Sequence, residues 1–81
     1  MLPEDAITLI VREYKRATEM NGSFNSPHEG YAVILEELDE LWDEIKKKAT
    51  ARDNEKLQKE AVQVGAMALR FLVDVVEEGG E

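Results

Sequence analysis

Two short segments carry residues able to do chemistry: Glu36-Glu37-Leu38-Asp39-Glu40 and, after a spacer of nineteen residues, Glu60-Ala61-Val62-Gln63. Carboxylate oxygens are hard ligands that suit Mg²⁺ or Mn²⁺, and those ions suit phosphate chemistry. Glu37 and Glu40 lie three apart and so neighbour each other on a helix surface. Glu44 extends their row by one turn, whereas Glu36, Asp39 and Asp43 point elsewhere. Further along, Glu60, Gln63, Met67, Arg70 and Asp74 recur at spacings of three, four, three and four, which is one seam of a helix. This seam is the only polar stripe on an otherwise apolar rod. A buried polar group needs a partner, whether a side chain, a water or a metal. The plain alternative for the first segment is a solvated acidic face, the usual setting of a charge run. For Arg70 it is an ion pair with Asp74 four residues on, or with an acid across the helix interface.

Three helices are expected to position these groups. Pro3-Glu4-Asp5 starts the first, with Ile7, Ile10, Val11, Tyr14 and Ala17 at helical spacing. Asn21-Gly22 ends it, one of the two taking a left-handed cap. Ser26 caps the second helix, with Pro27 at its first position and Glu29 completing a capping box. That helix is predicted to run to Lys48 or Ala49. Its apolar stripe is Tyr31, Ile34, Leu35, Leu38, Leu41, Trp42 and Ile45. Thr50 to Asn54 reads as a polar linker, with Asp53 or Asn54 capping a third helix that reaches Glu77 or Glu78 before Gly79-Gly80. A short linker makes the second and third helices antiparallel. Glu37 and Glu40 then fall roughly level with Glu60.

The third helix is apolar almost all round from Ala61 to Val76, with small residues at Gly65, Ala66 and Ala68. All-round apolarity implies burial on several sides. A chain of 81 residues without cysteine has little core of its own. The expectation is therefore an all-α fold: a single domain over residues 1–81, a long antiparallel helix pair plus an N-terminal helix, assembled as a homodimer or homotetramer into an oligomeric helical bundle.

The net charge of −8 opposes nucleic acid or an anionic membrane as a partner. The Lys46-Lys47-Lys48 run near a helix end complements the helix dipole instead. No stretch reads as a signal peptide or membrane span, so a cytoplasmic protein is expected. No glycine-rich phosphate loop precedes a helix, no Ser or Cys nucleophile has a matching His, and one His cannot build a zinc site.

The two acidic segments resemble the signature of the all-α nucleoside triphosphate pyrophosphohydrolase superfamily, the MazG-like and dimeric dUTPase-like proteins: EExxE, a spacer, then ExxD. The first part is matched in full by Glu36 to Glu40; the second is matched at Glu60, with Gln63 where Asp is expected. The resemblance implies a Mg²⁺-dependent (or Mn²⁺-dependent) hydrolase that cuts a nucleoside triphosphate between the α and β phosphates. Glu37, Glu40, Glu60 and Gln63 would hold metal, with Glu40 essential to catalysis and Glu36 in the outer shell or activating water. Gln63 offers a carbonyl but no charge, so weaker metal binding is expected, and a non-catalytic module of the same fold that binds a nucleotide or a protein is the alternative. An acidic helical adaptor, for which metal is irrelevant, is a third reading. His28, Trp42 and Lys46 to Lys48 are the conspicuous candidates to grip the nucleoside, but the plainer reading of each is preferred: a first-turn residue, a core edge and solvated charges.

Overall fold

Proline at the first helical position and acids in the first turn start α1 at Pro3–Asn21. In a computed structural model of the chain, which describes residues 1–76, it is followed by α2 at Pro27–Ile45, a 3₁₀ turn at Ala49–Ala51 and α3 at Asn54–Phe71. The last helix continues as a wider π turn over Leu72–Val76. The described residues are all helical or connecting turn, with no strand among them. No helix among them is long and apolar enough to cross a membrane.

The expected caps form. Gly22 takes the positive φ of 72° that closes α1, and its N–H donates to the Thr18 carbonyl. Ser26 Oγ accepts from the Glu29 N–H at 3.1 Å. Glu29 does not close the box on Ser26; its carboxylate accepts from the Asn25 N–H at 2.8 Å, one residue earlier. Asp53 caps α3 by accepting from the Glu55 N–H.

The second helix stops at Ile45, short of the predicted Lys48 or Ala49. Arg52 Nε donates to the Ile45 carbonyl at 3.0 Å, which satisfies an end group that a longer helix would have used internally. The stretch expected as a featureless linker thus holds the 3₁₀ turn. The predicted C-terminus of the third helix at Glu77 or Glu78 lies outside the described residues.

α3 packs against both other helices, antiparallel to α2, whereas α1 and α2 share few contacts with each other. The core is small: Ala17, Phe24, Ala66 and Met67, flanked by half-buried Tyr14, Val33, Ile34, Phe71 and Val75. α3 therefore finds cover on two sides within one protomer. The apolar stripe of α2 does not. Tyr31, Leu35, Leu38, Trp42 and Ile45 are all exposed, Trp42 at 56% rather than at the core edge.

Two glycines set how close the helices come. A Cβ on Gly30 would lie 2.6 Å from a ring carbon of Phe71 and 3.2 Å from Phe24. One on Gly65 would lie 2.9 Å from the terminal Cδ1 of Ile10, which can swing aside. Gly30→Ala is expected to destabilise the fold by about 1–3 kcal/mol through overpacking. Gly65→Ala should change it little, because a helix-propensity gain of about 1 kcal/mol offsets the shift of Ile10. Urea denaturation of both variants checks this; equal midpoints would refute the packing role of Gly30.

Candidate metal centre

α2 presents Glu37 and Glu40 three residues apart, and the antiparallel α3 brings Glu60 to the same level. One carboxylate oxygen from each lies within 4.8 Å of the others. The level matching expected from the short connection is realised. Glu40 is the common neighbour of Glu37 and Glu60, its charge acting on both.

Three carboxylates so placed cannot all ionise cheaply. Burial first, and the neighbouring Glu40 next, push Glu37 up to about 7. Burial and Glu40 likewise raise Glu60, against a small opposing pull from Lys59. Glu60 Oε2 is buried with no hydrogen-bond partner. Buried polar atoms are rarely left so, and a cation is one way to satisfy them. The donor set is all oxygen, drawn from two rigid helices, which fits a hard divalent ion.

Gln63 sits one turn beyond Glu60. Its Nε2 donates to Glu13 Oε2 on α1 at 2.8 Å. Glu13 is itself held by Arg16, whose Nε donates to it at 2.8 Å, and this bond lowers the Glu13 pKa. The amide nitrogen being committed to α1, the carbonyl oxygen is the end of Gln63 free to act as an acceptor. Glu13 was not singled out by sequence. Its signal was there: it shares a helix face with Ile10, Tyr14 and Ala17, a polar residue on an apolar side.

Next to the carboxylates, the groove between α1 and α2 forms a cavity of about 490 Å³ with α3 as its floor. Glu36 and Glu37 line it from α2, Arg16 and Asn21 from α1, and Gln63 and Arg70 from α3. The connecting loop adds Ser23, Phe24 and Asn25. Glu36 thus borders the cavity beside Glu37. Asp39 and Asp43 are exposed, and Glu44 is paired with Lys47 at 3.0 Å.

The lower half of the seam does different work from the ion pair expected of it. Arg70 is 4% exposed, yet among the described residues it forms no salt bridge. Its Nη2 donates to the Gly22 carbonyl at 2.7 Å and its guanidinium lies 4.2 Å from the centre of the Phe24 ring. Asp74 accepts from the Phe24 N–H at 3.0 Å. Both residues therefore clamp the loop that walls the cavity. Of the other candidates, His28 and Trp42 are exposed and do not line the cavity, and Lys46 pairs with Asp43. Comparison with protein-family models, curated proteins and solved structures finds no match to this chain.

The carboxylate cluster sets a pH dependence of stability. Glu37 and Glu60 hold protons in the folded state at pH values where the unfolded chain has released them, so stability falls as pH rises from about 4.5 to about 7. In EDTA, the urea midpoint should be lower at pH 8 than at pH 5, and Glu60→Gln should shrink that difference. An unchanged difference in the variant would show that the three groups are not coupled.

Proposed function

We propose that the chain is a metal-dependent nucleoside triphosphate pyrophosphohydrolase. The observation that carries this reading is the convergence of Glu37, Glu40 and Glu60 within 4.8 Å, one oxygen of Glu60 buried without a partner, beside a cavity of about 490 Å³. A cavity of this size suits a small-molecule ligand. The match of Glu36 to Glu40 and of Glu60 to the superfamily signature supports the same reading.

Glu37, Glu40 and Glu60 would hold Mg²⁺ or Mn²⁺, with the Gln63 carbonyl as an uncharged fourth donor. A divalent ion there would supply charge neutralisation for the phosphates and make an attacking water more acidic. The remaining roles fall to this chain's own residues. Without a cation, the carboxylates would repel a triphosphate. Arg16, exposed on the cavity wall where Arg70 is committed to the loop, would be the cationic group that meets it. Glu36, which lines the cavity, would take a proton from water as its oxygen bonds to the α-phosphorus. The bond from that phosphorus to the oxygen bridging toward the β phosphate breaks, and pyrophosphate leaves. Glu13 orients Gln63 by occupying its amide nitrogen, so that the carbonyl is left for the centre.

The non-catalytic reading draws on Gln63, which contributes no negative charge. Pyrophosphate release from a panel of NTPs and dNTPs with Mg²⁺ or Mn²⁺ separates the two. Release is expected from the unaltered chain and is expected to fall at least a hundredfold in Glu40→Ala, whose helical circular dichroism should be retained. Thermal melting gives a second readout: the divalent ion should raise the melting temperature of the unaltered chain by mass action, and not that of Glu60→Gln. No release with any substrate, together with a metal-induced rise in melting temperature, would favour the non-catalytic module. No response to metal at all would remove the metal centre.

A further inference from the structure

Gln63 is the uncharged member of the oxygen donor set, and the group that faces it from α1 accounts for that. Gln63 lines the cavity together with Glu36 and Glu37, and it also lines a second groove of about 630 Å³ between α1 and α3. Glu13 lines the second groove and not the cavity. Gln63 therefore stands as a partition, with Glu13 behind it and the carboxylates of α2 in front.

Glu13 decides which end of the amide faces each way. It is ion-paired to Arg16, whose Nε and Nη2 both donate to it. A carboxylate held in this way has acceptor oxygens and no proton to give. The amide nitrogen of Gln63 is the end that can face it, and Nε2 does so at 2.8 Å. The same contact excludes a carboxylate at 63. Two acceptor groups would then meet with no proton between them, and like charges at that separation repel. Both residues are half-buried, which strengthens the repulsion.

Glu13 also shares a cation with the carboxylate cluster. Its pKa is lowered chiefly by Arg16 and also by Lys59; Glu60, raised by burial and by Glu40, feels Lys59 in the opposing sense. One lysine thus acts on the carboxylate behind Gln63 and on one in front of it. The negative charge absent from position 63 is present on α1, one side chain further back.

We propose that Glu13 is a positioning residue that makes the identity of residue 63 conditional. With a carboxylate at 13 the centre takes an amide at 63, and it takes a carboxylate at 63 only when Glu13 loses its charge. The inference rests on the reading of Glu37, Glu40 and Glu60 as a metal centre, and it goes beyond the orientation of one amide. Positions 13 and 63 form one unit that holds a single carboxylate, on either helix. An acid introduced at 63 alone should therefore weaken the site rather than complete it.

A double-mutant cycle tests this, read by Mn²⁺ affinity in titration calorimetry and by the urea midpoint in EDTA. Its members are Glu13→Gln, Gln63→Glu and the exchange Glu13→Gln/Gln63→Glu, each change keeping the shape of the side chain. Glu13→Gln should bind Mn²⁺ roughly tenfold more weakly, as loss of the group that orients a metal ligand does. Gln63→Glu should also bind more weakly, and its urea midpoint should fall. The exchange should recover both, because an amide on α1 then donates to a carboxylate on α3. Additive effects, with the exchange worse than either single variant, would overturn the inference. So would an affinity unchanged in Glu13→Gln, the result expected if Glu13 served only to hold Arg16. Should Glu13→Gln fail to fold, Gln63→Glu decides alone: an affinity equal to or tighter than that of the unaltered chain would show that position 63 accepts a charge with Glu13 in place. An unaltered chain that binds no Mn²⁺ would remove the metal centre and this inference with it, whereas Mn²⁺ binding with an additive cycle would remove this inference alone.

Discussion

The site depends on the contact between α2 and α3 more than on any other part of the molecule. At one end of that contact Gly30 has no side chain, and the Phe71 ring occupies the space a Cβ would need. The helices run antiparallel from there, so a fixed number of turns separates Gly30 from Glu37 and Glu40 on one helix and Phe71 from Glu60 on the other. Three carboxylates are brought together by this registration, against their mutual repulsion and against desolvation. What opposes the repulsion is the packing of Ala66 and Met67 over Ala17 and Phe24, which belong to the same buried cluster.

The loop between α1 and α2 is tied to α3 by two charged residues that do not pair with each other. Arg70 gives a hydrogen bond to Gly22 and stacks on Phe24, and Asp74 receives the Phe24 N–H. A guanidinium removed from water without a carboxylate partner is stable only where carbonyls and aromatic faces stand in for solvent. Here the Gly22 carbonyl and the Phe24 ring do so for the outer end of the guanidinium, while Nε is buried without a partner, and the Phe24 ring is a wall of the cavity. Position and charge are used for architecture at one end of the α3 seam and for a clustered oxygen donor set at the other.

α2 serves two directions at once. Its Glu29, Val33 and Glu36 look into the cavity, and its Tyr31, Leu38 and Trp42 face outward on the other side. One rigid helix can present both because side chains three and four apart share a face and the two sets fall on different faces.

Much of this was legible in the chain itself. Pro3, Ser26-Pro27 and Asp53 act locally, within a turn of their own backbone, so three of the helix boundaries could be read directly. The seam of Glu60, Gln63, Met67, Arg70 and Asp74 was legible because helical spacing alone puts those residues on one face, and a short connection alone makes the neighbouring helix antiparallel. Other features required the folded chain. The early stop of α2 at Ile45 depends on Arg52 folding back onto its last carbonyl, a contact seven residues away that periodicity does not register. The partners of Arg70 and Gln63 lie 48 and 50 residues away, on a loop and on a helix whose placement no local spacing encodes. Which apolar face stays uncovered was decided last and only in three dimensions. Sequence ranks α3 as the more apolar rod, but burial depends on how many neighbours pack around a helix, and α3 has two where α2 has one.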